Sequence, residues 1–98
     1  MHGEEPPTAL TTRRILSEER AKADAGDPKA QTQVGMMYAR GHGVPKDDVE
    51  AYKWWLLAGA QGGEEARRGI DAIEKLLTPE QRAEGQRMAR EFKAKAAE

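Results

Sequence analysis

Apolar side chains recur along this chain at spacings of three and four residues, which is the spacing of one helix face. The clearest stripe consists of Ala30, Val34, Met37 and Tyr38. Four other segments carry similar stripes, and the one nearest the N-terminus is the thinnest. The pattern predicts five helices, over residues 8–25, 28–40, 47–60, 64–77 and 78–96.

Residues typical of helix starts separate these segments. Asp27 is the predicted N-cap of the second helix, and Pro28 follows it in the first turn, where its missing N–H costs no hydrogen bond. Asp47 and Glu50 have the spacing of a capping box at the start of the third helix. Thr78 begins the last helix in the same manner, with a glutamine at the third helical position.

Glycines mark the places where the chain turns or where helices meet closely. Gly41 and Gly43 lie in a short loop and are expected to have positive φ, so that the next helix folds back antiparallel. Gly35 and Gly59 lie inside helices, where a missing side chain lets a neighbouring helix approach.

The third helix is apolar nearly all round over residues 51–60. Such a helix is buried on more than one side, so we expect it to be central in the domain. Trp54 and Tyr38 are the bulky side chains expected to fill the gap between helices. Trp55 is less constrained, and both a core position and a contact surface remain open for it.

Composition favours the same all-α fold. Of the apolar residues, 16 are alanine, and valine and isoleucine together number only six. A β-protein needs more β-branched and aromatic residues than this, whereas Ala, Glu, Lys, Arg and Gln favour helices.

The charges exclude several classes of protein. Sixteen basic and 17 acidic residues give a net charge of -1, without the basic excess of a nucleic-acid binder. No apolar run approaches the ~20 residues of a membrane span. Residues 1–8 are predicted to be a disordered, acidic lead-in, unlike a secretory signal. A cleaved signal remains open, so no compartment is assigned.

Two segments of the chain resemble each other at a shift of 36 residues. The shift superimposes Gly26 on Gly62, Ala30 on Ala66 and Val34 on Ile70. A helix–turn–helix unit that recurs with this period is typical of a helical solenoid.

One whole unit, residues 26–61, closely resembles the Sel-one-like repeat, a relative of the tetratricopeptide repeat. The resemblance rests on these residues: Gly26-Asp27-Pro28-Lys29-Ala30-Gln31, Val34-Gly35-Met36-Met37-Tyr38-Ala39, Gly41-His42-Gly43-Val44, Asp47-Asp48, Glu50-Ala51, Trp54, Ala58 and Gln61-Gly62. The segment from Thr78 also resembles the terminal helix that often follows such repeats in bacterial proteins.

The resemblance implies a short right-handed solenoid of helical hairpins, whose helices line the inner and outer walls of a superhelix. Residues 9–98 then form one helical-repeat domain, with an N-terminal cap helix at 9–25, the full repeat at 26–61, a partial repeat at 62–77 and a C-terminal cap helix at 78–98. Members of the family are mostly adaptors that bind other proteins and carry no catalytic apparatus.

Candidate catalytic and metal-binding residues are few. His42 lies near Asp47 and Asp48, but a metal site needs three or four ligands, and the only other histidine is in the N-terminal lead-in. The two aspartates are better explained as helix-cap and helix-dipole partners. We therefore expect no enzyme, metal or cofactor.

A binding surface for a protein or peptide is the stronger hypothesis. We place Met37 in the core and Met36 on the opposite, mostly polar face of its helix, where an adaptable methionine suits protein binding. The positions 36 residues later, on the fourth predicted helix, extend this face. Together they give a shallow candidate binding face. Its residues are Lys29, Gln33, Met36, Arg40, Arg68, Gly69 and Ala72.

Two alternatives remain. The chain could be a structural unit of an envelope that assembles as a homo-oligomer, using an apolar edge such as Ala9, Leu10, Ile15 and Leu16. A small metal-dependent enzyme is the other, and no nucleophile–base pair, ligand cluster or phosphate loop supports it.

Overall fold

The computed structural model describes residues 9–94, and within them every regular element is an α-helix. The five helices are α1 (Ala9–Asp24), α2 (Pro28–Arg40), α3 (Asp48–Ala60), α4 (Glu64–Glu74) and α5 (Pro79–Glu91). The prediction of an all-α fold is confirmed. The predicted lead-in, residues 1–8, lies outside the described residues.

The predicted caps form the helix starts. The Asp27 carboxylate accepts a hydrogen bond from the Lys29 N–H at 2.9 Å, and Asp47 accepts one from Glu50 N–H at 3.1 Å. The predicted capping box between Asp47 and Glu50 is only half formed, because the Asp47 N–H donates to the Tyr38 carbonyl at 3.0 Å and Glu50 forms an ion pair with Lys53 at 3.5 Å. The reciprocal capping box is found at the start of α5, between Thr78 and its third helical residue. These bonds satisfy N–H groups that a bare helix start leaves unpaired.

Helix α3 is the centre of the fold, as its apolar sequence predicts. It packs against α2, α4 and α5, whereas α1 packs on α2. Tyr52, Trp54 and Ala58 of α3 are fully buried. Helix α5 lies along α3 with Gly85 over the Tyr52 ring, since a Cβ there would come within 2.6 Å of Tyr52 Cδ2.

The buried side chains form two clusters, and α3 contributes to both. The first contains Tyr52, Trp55 and Ile73, and it joins α3 to α4. The second surrounds Trp54 with Ala30 and Val34, and it joins α3 to α2 and to the end of α1. Both clusters therefore depend on the aromatic residues of the central helix.

Two predicted helix ends are too late in the chain. Helix α4 ends at Glu74, and a turn from Ile73 to Leu76 brings Leu77 into the first cluster. Helix α5 ends at Glu91, where Phe92 is extended and packs edge-on against Trp54, with ring centroids 5.6 Å apart. In both places tertiary packing overrides helical periodicity.

Tyr52 gives the fold a dependence on pH. Its hydroxyl donates a hydrogen bond to Glu74 Oε2 at 2.8 Å and accepts one from Gln86 Nε2 at 3.0 Å. Burial raises the pKa of Tyr52 above its ordinary value, because a buried phenolate would lose its hydration. The folded state therefore favours the neutral phenol. This stabilisation is fully present below about pH 10 and is lost as the pH rises through the higher folded-state pKa.

We accordingly expect the free energy of unfolding to fall more steeply above about pH 10 in the wild type than in Tyr52→Phe. Urea unfolding at a series of alkaline pH values measures this difference. Tyr38→Phe is the control, because it leaves Tyr52 in place and should keep the steep fall. Equal pH dependence in wild type and Tyr52→Phe would contradict the expectation.

Candidate functional site

One side of α2 supplies the first four residues of the candidate face. Lys29, Gln33 and Arg40 are exposed there, and Met36 is half-buried between them. Within residues 11–94, neither Lys29 nor Arg40 has an ion-pair partner. Two cations on this side of α2 thus remain available to an external carboxylate.

A groove of about 210 Å³ lies between α1 and this side of α2. Met36 and Met37 line it from α2, and Ile15 lines it from α1. Its polar lining residues are Thr12, Gln33, Arg40 and His42. The groove therefore combines flexible apolar side chains with a guanidinium that has no ion-pair partner within residues 11–94.

The two methionines differ from the sequence prediction. Met36 packs against the first buried cluster, the one that contains Trp55, so it is not a fully exposed residue of a polar face. Met37 is half-buried and lines the groove, close to Gly43 of the following loop. Because α1 and α3 pack against different sides of α2, Met36 and Met37 both lie at a border between the core and the groove. The helical period of α2 alone does not predict this arrangement.

A second groove, of about 520 Å³, lies where the starts of α2 and α4 meet. Lys29 and Gln33 line one side, and Glu64 and Glu65 line the other. Gln61, at the end of α3, connects that end to the start of α2, because its Nε2 donates hydrogen bonds to the Gly26 carbonyl at 3.1 Å and to Gln31 Oε1 at 3.2 Å. Helical periodicity and cap residues do not predict this link, although Gln61, Gly26 and Gln31 all lie within residues 26–61 of the repeat.

The three candidate residues of α4 have different environments. Arg68 is exposed and lies 3.7 Å from the exposed Glu64, a pairing that contributes little to stability. Gly69 lies against the Trp55 indole, since a Cβ on it would be 2.7 Å from Trp55 Cδ2. Ala72 is exposed and lines a third, smaller cleft near the ends of α2 and α4.

The seven candidate residues therefore do not line one pocket. Gln33, Met36 and Arg40 share the α1–α2 groove, and Lys29 shares the second groove with Gln33. The contribution of Ile15 and Thr12 from α1 was not anticipated. The thin apolar stripe of α1 indicates that this helix has a contacting face. Which residue of α2 that face contacts depends on how α1 packs.

Both tryptophans belong to the core. Trp54 has no exposed surface, as predicted, and Trp55 is 8% exposed, which settles its two open alternatives in favour of burial. The Trp55 indole N–H donates a hydrogen bond to the Thr32 carbonyl at 3.1 Å. Trp54 is closed to any ligand, and Trp55 exposes only a small part of its surface.

The described residues contain few side chains arranged for catalysis or metal binding. His42 is exposed in its glycine loop, and residues 9–94 contain no cluster of three or more His, Cys, Asp or Glu that could hold a metal ion. Over the same residues, no helix is long and apolar enough to cross a membrane.

Short helices joined by tight loops and packed side by side around α3 define an α-helical repeat protein. The family model described as Sel1 repeat matches residues 28–63, which comprise α2, the following loop and α3. The chain therefore contains a Sel1 repeat, and the resemblance seen in the sequence is confirmed. No curated protein is significantly similar to the chain. Sel1 repeats are generally protein-interaction modules and are typically non-enzymatic.

Proposed function

We propose that this chain is a non-catalytic adaptor that holds a segment of another protein on the candidate face of α2 and α4. The α1–α2 groove is the centre of the proposed contact. It is supported by the class of repeat that the chain contains and by the open grooves beside α2.

The observation that carries the proposal is the pairing of Met36 and Met37 with Arg40 in one groove. Methionine side chains are flexible and polarisable, so they adapt to different apolar side chains. A guanidinium in the lining of a groove can bind a carboxylate through charge-assisted hydrogen bonds. The groove thus suits a peptide segment with a bulky apolar residue next to Asp or Glu.

We expect a few residues to provide most of the binding free energy of this contact. Interfaces usually depend on a few anchors, with the remaining contacts serving to exclude water. Arg40 is the anchor to test first, because it is exposed and its replacement does not disturb the core. Met36 is less suitable for charge reversal, since it also packs against the first buried cluster.

We therefore expect Arg40→Glu to reduce capture of the partner from a lysate of the source cell by about tenfold or more, the loss of one charged hydrogen bond. Quantitative pull-down with wild-type and variant chains measures this loss. Arg90→Glu is the matched control: Arg90 is an exposed arginine in the last turn of α5 and changes the net charge equally.

Circular dichroism of all three chains verifies that the helices are retained. Equal loss with both variants would show a general effect of charge, and equal retention with both would remove the groove from the site. A wild-type chain that captures no specific protein would contradict the adaptor function itself.

A further inference from the structure

Leu76 is the most exposed large apolar residue in the described chain, with 70% of its surface accessible. It follows α4 in the turn closed by the hydrogen bond from its N–H to the Ile73 carbonyl at 2.9 Å. One exposed leucine is ordinary on a protein surface. What distinguishes Leu76 is its immediate surroundings.

A cleft of about 190 Å³ lies directly beside Leu76. Its apolar lining comes from Ala39 at the end of α2, the edge of Trp55, and Ala72 and Ile73 of α4. Lys46 and Asp48, which form an ion pair at 2.6 Å, line its polar side. A protruding apolar side chain and an apolar cleft thus lie within one patch.

Asp71 of α4 and Lys75, the residue that follows the end of α4, carry opposite charges near this patch. Asp71 and Lys75 are exposed, and within the described residues neither forms an ion pair. They lie two positions before and two positions after Ile73. Both lie on the side of the helix away from the buried Ile73, so two copies of α4 packed antiparallel by that side, about a twofold axis level with Ile73, place each Asp71 opposite the Lys75 of the other copy.

This side of α4 is also where a helical-repeat array would continue. Repeats bury their faces against the next repeat, but α5 packs along α3 and leaves Asp71, Ala72 and Lys75 exposed. A second α4 of the same chain supplies the missing neighbour. An apolar face, complementary charges and an open repeat edge coincide at one place.

We propose that two copies of this chain associate through α4, with Leu76 of each copy entering the cleft of Ala39, Trp55 and Ala72 on the other. The contact is isologous, so every residue is used twice. It differs from the predicted apolar edge on α1, of which Ile15 is 47% exposed. The α1–α2 groove remains open in such a dimer, and the inference does not rest on the proposed adaptor function.

Sedimentation equilibrium over concentrations up to about 1 mM, where weak complexes are populated, tests the dimer. The wild-type mass is expected to rise from 10.8 kDa towards twice that value. Leu76→Glu is expected to raise the dimer dissociation constant by about tenfold or more. Ile15→Glu is the matched control, because it places the same charge on the other large apolar residue that is exposed among the described residues, and it should leave association unchanged.

A charge swap tests the antiparallel arrangement. Asp71→Lys and Lys75→Asp should each weaken association, and the double variant should restore it, because the reciprocal pairs are formed again with opposite signs. A wild type that stays monomeric at the highest concentration would overturn the inference, as would an undiminished dimer of Leu76→Glu. Failure of the double variant to recover would overturn the antiparallel pairing. Arg40→Glu should dimerise normally, which separates this result from the test of the adaptor function.

Discussion

Trp54→Ala is expected to lower the free energy of unfolding by about 3–5 kcal/mol, the usual cost of removing a large buried aromatic side chain. Trp54 has no exposed surface and is the largest fully buried side chain in the described residues. Its ring joins α1, α2 and α3 through Ala23, Val34 and the second buried cluster. Alanine would leave a cavity where these three helices meet.

The substitution also removes the partner of two cations. Lys53 Nζ lies 4.0 Å from the Trp54 ring centroid, and Arg20 Cζ lies 5.3 Å from it. Cation–π contacts contribute about 0.5–2 kcal/mol each, and more when they are shielded from water. Lys53 is mostly buried, at 12% side-chain exposure, so its ammonium depends on the ring and on Glu50.

Urea unfolding followed by circular dichroism measures the effect. Trp54→Phe should cost less than Trp54→Ala, because it keeps an aromatic ring in the site and leaves a smaller cavity. If the alanine variant is already unfolded in buffer, the phenylalanine variant supplies the graded value. Leu76→Ala is a surface control with an expected change within about 0.5 kcal/mol. A loss below about 1 kcal/mol for Trp54→Ala would contradict the central position given to this residue.

The position of Trp54 could be predicted from the sequence because several independent signals agree on it. The apolar third helix, the repeat and the helix caps at Asp27 and Asp47 all place it between packed helices. Local signals of this kind are strong, since a cap or a positive-φ glycine depends on a few neighbouring residues. Gly41 and Gly43 have the predicted positive φ, +71° and +81°.

Features that depend on the packing angle between helices could not be predicted. Met36 and Met37 are adjacent on α2, and which of them contacts the core depends on where α3 crosses that helix. The extended Phe92 and the exposed Leu76 are determined by how α5 and α4 end. Periodicity describes a helix by itself, whereas these positions depend on its neighbours.

The candidate face also contains residues that could be predicted from local spacing and residues that depend on helix packing. The spacing of Gln33, Met36 and Arg40 is enough to place them on one side of α2, and all three line the α1–α2 groove. The residues of α4 were added by the repeat period, and they lie in other environments. Gly69 in particular serves the packing of Trp55, a role that its neighbours in sequence do not reveal.

Trp55 itself is held between two glycines, and this arrangement makes Gly35→Ala strongly destabilising. A Cβ at Gly35 would lie 2.5 Å from Trp55 Nε1, and the indole has Gly69 on another side. Displacing the ring would also stretch its 3.1 Å hydrogen bond to the Thr32 carbonyl. Replacing glycine by alanine in a helix interior normally raises the free energy of unfolding by about 0.5–1 kcal/mol. At Gly35 we expect the free energy of unfolding to fall instead.

We expect Gly35→Ala to lower the free energy of unfolding by about 2–3 kcal/mol, because the cost of overpacking and of the weakened buried hydrogen bond exceeds that helical gain. Urea unfolding measures the loss, with Gln33→Ala on the same helix as an exposed control.

A double-mutant cycle with Trp55→Phe assigns the loss to the indole. Phenylalanine lacks the five-membered ring that carries Nε1, the atom nearest to the added methyl group, so Gly35→Ala should cost at least about 1 kcal/mol less in that background. An unchanged cost would mean that the strain arises elsewhere in α2. A stabilised Gly35→Ala would show that the helices separate easily, which would contradict the close packing of α2, α3 and α4 around Trp55.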